Sequence, residues 1–219
     1  MRAFLNHLLV SERSLIYSSG VEETPTRRER ARPLSPEERR DKLVDVTLNL
    51  LREHGRAVTT RQIAAAAGVA EGTIFRVVES KDELVEAAIA RAFDPGALVD
   101  RLREIDPARP LRERLVTMTS IVQQRLRATF ELMAKVGLVR PPDAIHESPE
   151  AVAWRARLTE LLMEVVGDDA DLLRVPAEEF LHTLRLLTFA GSHPHISDGR
   201  FLAPDQIVDT VLDGLGRRP

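Results

Sequence analysis

Residues Thr59–Leu84 read TTRQIAAAAGVAEGTIFRVVESKDEL. Thr59 and Gln62 stand at the S/T-x-x-E/Q spacing of a capping box, so a helix is expected from Thr60. Ile63, Ala64 and Ala67 form a narrow apolar stripe, and the alanines combine high helix propensity with room for a close neighbour. Gly68 supplies the positive φ that ends a helix, with Val69 turned back to the core. A second short helix is expected to follow, with Ile74 and Val78 four residues apart on one face. Ser80 and Glu83 repeat the capping-box spacing and open a further helix. Two short helices joined by a three- or four-residue turn containing glycine make a helix-turn-helix, whose second helix is shaped for a DNA major groove.

The pattern extends in both directions. Upstream, Ser35 is placed to cap a helix with Pro36 at its first position. Leu43, Val46, Leu50 and Leu51 follow the 3.6-residue period, and Gly55 ends the run. Downstream of Ser80, the residues Leu84, Val85, Ala88 and Ile89 make a buried face ending near Ala92, and Pro95-Gly96 closes the unit. Beyond it the periodicity predicts helices over 97–104, 111–136, 149–166, 176–190 and 204–215. A loop is expected over 141–148 and a short turn over 169–173. Neither strand alternation nor an internal repeat is present. The fold class is therefore all-α, divided as an extension at 1–34, a helix-turn-helix unit at 35–96 and a helical C-terminal domain at 97–219.

Composition agrees with this class. The 219 residues are 43% hydrophobic, 30% charged and only 4% aromatic, the profile of a soluble globular chain. Cysteine is absent, which excludes disulfides, thiol redox sensing and cysteine-ligated zinc. No apolar run reaches the roughly 18 residues of a membrane span. Met1–Ser19 is a poor secretory signal because Asn6, His7, Ser11, Glu12 and Arg13 interrupt it, so a cytoplasmic protein is expected. Over Ser35–Asp94 nine Lys and Arg face eleven Asp and Glu. The domain sum thus gives no basic excess, and DNA contact would rest on placement: Arg61, Arg76 and Lys81 on one edge, with Asp45, Glu53, Glu83 and Glu86 elsewhere. The segment 1–34 carries the basic cluster Arg27-Arg28-Glu29-Arg30-Ala31-Arg32 and is expected to be disordered or partly ordered. It is open to three readings: an arm for the minor groove, a solvated tail, or an upstream extension of a chain whose translation begins near Val21.

The run Thr59-Thr60-Arg61, Ile63-Ala64, Ala67-Gly68-Val69, Gly72-Thr73-Ile74-Phe75-Arg76 and Ser80-Lys81-Asp82-Glu83-Leu84 resembles the DNA-binding segment of the tetracycline-repressor (TetR) family. The likeness reaches back through Leu43, Leu50, Leu51 and His54-Gly55 and covers about residues 37–97. It implies a ligand-responsive transcriptional regulator, most simply a repressor, that binds a palindromic operator in double-stranded DNA as a homodimer. It also implies positions for the contacts. Thr60 and Arg61 match residues that meet backbone or base edges. Glu71, Gly72 and Thr73 lie at the base-facing start of the recognition helix, and Phe75, Arg76 and Lys81 complete the set. Phe75 stands where the family commonly has Tyr, and Val77 and Val78 where it often has His and Phe. Ala70 replaces a common capping Ser, a loss of about 0.5–2 kcal/mol. The last two helices are expected to pair between subunits, with Leu184 and Val208 in that interface. A ligand cavity is expected between the helices at 111–136 and 149–166, lined by Met118, Phe130, Met133, Trp154 and Met163. With few charges on those faces, the effector is expected to be small, apolar or neutral.

Other chemistries find less support. His182, His193 and His195 offer nitrogen ligands, but no carboxylate is evidently paired with them, so neither a metal nor a cofactor is expected. No P-loop, G-x-G-x-x-G after a strand, G-x-S-x-G or H-E-x-x-H is present, which argues against an enzyme. A helical interaction protein that has lost DNA binding remains the alternative, carried by the changes at Phe75, Val77 and Val78.

Overall fold

The computed structural model describes residues 35–215, and the N-terminal extension with its basic cluster lies outside them. The described residues form helices joined by turns, with no β-strand, so the all-α class holds. None of these helices is long and apolar enough to cross a membrane. The order is α1 (Pro36–His54), α2 (Thr60–Ala67), α3 (Glu71–Ile74), α4 (Lys81–Ala92), α5 (Gly96–Arg103), α6 (Leu111–Val136), α7 (Asp143–His146), α8 (Pro149–Val166), α9 (Ala177–Ser192) and α10 (Pro204–Leu215). Short 3-10 turns cover Gly55–Ala57 and Gly167–Leu172.

The helix starts follow from local side-chain chemistry. The Ser35 hydroxyl accepts from the Glu38 N–H while the Glu38 carboxylate accepts from the Ser35 N–H. Thr59 and Gln62 make the same reciprocal pair, at 3.2 and 2.8 Å. Each pair satisfies amide donors that a helix start leaves unpaired. At α4 only half of the expected box forms. Ser80 accepts from the Glu83 N–H, but the Glu83 carboxylate takes the Glu79 N–H at 2.7 Å instead of closing on Ser80. Gly68 ends α2 in the left-handed conformation.

Two expectations about element limits need correction. The recognition helix was expected to carry Ile74 and Val78 on one face, yet α3 stops at Ile74 and continues as a turn. Ala70 gives it no side-chain cap, and Phe75, Val77 and Val78 have modest helix propensity. Both Ile74 and Val78 are nevertheless buried, because the Val78 N–H still reaches the Ile74 carbonyl at 3.1 Å. Within the expected loop at 141–148, residues Asp143–His146 make one short helix.

Two apolar cores share one helix. The first gathers residues of α1–α4, including Leu43, Leu51, Ile63, Ile74 and Ile89, and takes in Leu132 and Val136 from the end of α6. The second gathers α5, the first half of α6, α8, α9 and α10 around Leu115, Leu162, Phe180, Leu184 and Ile207. Leu184 and Val208 belong to this second core, at 1% and 0% exposure, and are not on an outer face. Their turn of the helix points inward; the apolar residues that α9 turns outward are Leu186 and Phe189. Inside the second core the buried Arg114 of α6 donates to the Val165 carbonyl at 2.7 Å and pairs with Asp169, so it ties α6 to the end of α8. Arg112 holds Asp209 of α10 in a two-pronged pair at 2.7 and 2.8 Å, which keeps the Asp209 carboxyl below its usual pKa.

Where α6 enters the first core it meets Gly55. A Cβ on Gly55 would stand 2.3 Å from the Lys135 carbonyl oxygen, and the residue has φ +58°. Arg56 donates to the Val136 carbonyl at 3.2 Å and pairs with Glu86 of α4. Gly55→Ala should therefore lose more stability than Gly68→Ala. Gly68 has positive φ but open space around it, so its replacement carries only the conformational cost of about 1–2 kcal/mol. Chemical denaturation of the two variants checks the ranking; equal losses would mean that α6 yields easily at Gly55.

Candidate nucleic-acid interface and ligand cavity

The starts of three helices come together on one edge. The Thr60 hydroxyl, in the first turn of α2, donates to the Glu71 carboxylate at the start of α3. The Lys81 ammonium, at the start of α4, donates to the Val58 carbonyl just ahead of α2, at 3.3 Å. Thr60, Glu71 and Lys81 are thereby held in one neighbourhood, with Arg61, Gly72 and Thr73 beside them in the chain. Gly72 is exposed, and nothing lies within 4 Å of where its Cβ would stand, so no contact inside the chain calls for glycine there. Phe75 is 53% exposed, an unusual position for a phenyl ring in a small helical unit. Arg61 and Arg76 are exposed and, among the described residues, have no hydrogen-bond or ion-pair partner.

Four acids of this unit are paired with arginines. Arg40 pairs with Glu83, Arg56 with Glu86, and Arg91 with both Asp41 and Asp45. The Glu79 N–H and, secondarily, Arg40 hold the Glu83 carboxyl below its ordinary pKa. Each of these pairs cancels an acid against a base between α1, α4 and the turn that joins α1 to α2. Near α2 and α3, Arg61, Arg76 and Lys81 form no ion pair among the described residues, so cations remain available there despite the negative domain sum. In the unbound chain the Glu71 carboxylate is engaged by Thr60, and a contact from Glu71 to a base would require that bond to open.

A cavity of about 380 Å³ lies between α6, α8 and α9, roofed by Phe93 and Leu98. Its volume falls in the range of roughly 300–1,000 Å³ usual for small-molecule sites. Val122, Leu126, Trp154 and Leu158 make much of the apolar wall, and Phe189 and Leu186 stand at the α9 side. Of the five residues expected to line a pocket, only Trp154 is in this wall. Met118 packs in the second core, and Met133 is buried near the end of α6. Phe130 stacks edge-on with Phe189 at 5.2 Å and with His193 at 4.6 Å, so it backs the cavity without facing it. Met163 is on an exposed face of α8, away from the stripe of Trp154 and Leu158.

On the two helices expected to flank the pocket, one charged residue, Arg125, faces this cavity; α9 adds two basic ones. Arg125, Arg185 and His182 are part of the wall. Arg125 shares a helical stripe with Val122, Leu126 and Thr129, which is the signal by which it was recoverable from sequence. Burial lowers the Arg125 pKa, Arg52 adds to that effect, and Asp94 opposes it.

Comparison with known proteins agrees with this architecture. A profile described as bacterial regulatory proteins, tetR family, matches residues 43–88. The chain is 34% identical over 190 residues to the HTH-type transcriptional repressor KstR of Rhodococcus jostii (strain RHA1), spanning 83% of this chain and 86% of that one. It is 39% identical over 181 residues to an uncharacterized HTH-type transcriptional regulator of Mycobacterium tuberculosis (strain ATCC 25618 / H37Rv), spanning 78% and 73%. Among solved structures, the fatty acid degradation regulator FadR from Bacillus halodurans has the same fold, with a TM-score of 0.53 at 19% identity over 83% of this chain and 95% of that chain. Helix-turn-helix geometry, profile and full-length relatives converge: the chain belongs to the TetR family and is a TetR-type transcriptional regulator.

Proposed function

We propose that this regulator is a ligand-responsive repressor that binds a palindromic operator as a homodimer and leaves it when a small effector fills the cavity. Residues 35–96 act as the DNA-binding unit and 97–219 as the ligand-binding and dimerisation domain. Operator binding places its work in the cytoplasm, and no catalytic role is assigned. The similarity to a repressor supports the direction of regulation. The observation that carries ligand response is the course of α6. Its Val122–Thr129 segment lines the cavity, and Leu132 and Val136, within the next two turns, are packed in the DNA-binding core. A ligand that favours one placement of α6 therefore biases the position of α1 and α4, and with them the spacing of two recognition helices in a dimer.

Arg61, Gly72, Thr73, Phe75 and Arg76 would meet the major groove and its flanks, with Thr60, Glu71 and Lys81 fixing the edge. The dimer would use α9 and α10, and Leu186, 58% exposed at the α9 rim of the cavity, provides apolar area for it. A symmetric pairing there sets two helix-turn-helix units one helical turn of DNA apart, about 34–36 Å.

Gel-shift titration with the chain's own promoter region tests the DNA reading. Lys81→Ala should weaken binding to all sequences alike and reduce the salt slope by about one phosphate contact. Arg61→Ala should also relax preference at one base pair, by about 1–3 kcal/mol. Wild-type affinity in both variants, with helical content intact, would falsify the assignment. The interface prediction is separate. Leu186→Glu should give a folded monomer by light scattering, whereas Leu184→Glu, buried in the protomer, should unfold or aggregate. A folded dimer from Leu186→Glu would move the interface off this face of α9.

A further inference from the structure

All three ionisable side chains in the cavity wall are basic: Arg125, His182 and Arg185. Arg125 is half-buried, and its Nη2 donates to the Asp94 carbonyl at 2.9 Å. Among the described residues its Nε and Nη1 have no hydrogen-bond partner, and no carboxylate forms an ion pair with it. Asp94 is the nearest acid that acts on it, but the Asp94 carboxylate is engaged with the Gly96 N–H at 2.8 Å. Arg185 and His182 likewise have no partner among the described residues. Glu178 and Glu179 do not line this cavity, although they share a neighbouring groove with His182 and Arg185.

Such an arrangement is costly when empty. A guanidinium facing an apolar wall loses hydration, and the Asp94 carboxylate, which forms no ion pair with Arg125, offsets only part of that cost. An incoming carboxylate offsets the rest, because the open edge of a guanidinium fork accepts a two-pronged carboxylate. The same field repels a cationic ligand, and a neutral one leaves the fork unpaired. Around this head site the wall is apolar over Val122, Leu126, Trp154 and Leu158.

We propose that the cavity takes an amphiphile with a single carboxylate head, the head paired with Arg125 and the apolar body lying along Val122, Leu126, Trp154 and Leu158. Arg185, also in the wall, adds a favourable field. The proposal rests on the reading of the chain as a ligand-responsive regulator and replaces the expectation of a neutral effector with an anionic one.

Three probes with one chain length and three heads test it: decanoate, decanol and decyltrimethylammonium, each below its micelle concentration. Trp154 is the single tryptophan and is part of the wall, so its emission reports occupancy. Decanoate should bind at least about tenfold more tightly than decanol, and the ammonium more weakly than either. Arg125→Gln should cut decanoate affinity by about tenfold to a hundredfold and leave decanol affinity unchanged, which also certifies that the variant's cavity is intact. Arg125→Lys should recover part of the loss. Equal affinity for decanoate and decanol, equal loss of both in Arg125→Gln, or no Trp154 response to decanoate would each overturn the proposal. Operator binding by the ligand-free protein is measured alongside. Its failure removes the regulator reading and leaves the head-group result standing, whereas release of operator by decanol and decanoate alike keeps the regulator reading and removes the anionic head.

Discussion

The end of α6 inside the first core is the contact on which the rest of this molecule depends. Leu132 and Val136 complete the apolar packing of α1–α4, and the Lys135 carbonyl lies so close to Gly55 that a side chain there has no room. Arg56 then ties the Val136 carbonyl and Glu86 together, so the turn after α1, the end of α6 and α4 form one cluster. A helix is stiff along its axis, and Arg125 and Val136 are only about 16 Å apart along it. A displacement at the cavity therefore arrives at the DNA-binding core without any loop to absorb it. Close-packed interiors do not deform smoothly, so such a shift is expressed as one arrangement or another.

The edge that carries the starts of α2, α3 and α4 shows why a charge sum is a poor guide to local charge in a helical unit. Asp41, Asp45, Glu83 and Glu86 are taken up by pairs with Arg40, Arg56 and Arg91. Such exposed pairs add little stability each. Their consequence here is spatial: the paired acids lie on α1 and α4, while Arg61 and Arg76 form no ion pair among the described residues. Lys81 donates to the Val58 carbonyl, which orients it along the same edge.

Much of this fold could be read from residues that act on their own neighbours. Ser35, Thr59 and Ser80 cap the helices they precede, and Gly68 ends α2, because capping is a matter of three or four residues. The 26-residue span of α6 was equally legible from its period. What was not legible depends on partners distant in sequence. Periodicity marks Leu184 and Val208 as apolar-face residues but cannot say whether that face meets another helix of the protomer or a second subunit. Met118 and Met163 carry similar chemistry, yet one is in the core and the other near solvent, as their positions around α6 and α8 dictate. Arg125 shares its stripe with Val122 and Leu126, so periodicity marks that face as apolar and does not reveal which way the guanidinium turns. The recognition helix is shorter than its apolar spacing implied, since Ala70 offers no cap and the residues after Ile74 favour a turn.

Native-state hydrogen exchange in low denaturant tests the shared-helix account most directly. If α6 is a structural member of both cores, the amides of Leu132–Val136 should open in the same cooperative unit as those of α1 and α4, with one free energy and one denaturant dependence. In Gly55→Ala that unit should lose stability throughout, α6 end included. Exchange of Leu132–Val136 with the second core alone, at a free energy independent of α1 and α4, would contradict the account, because the cavity and the DNA-binding edge would then have no common element to join them.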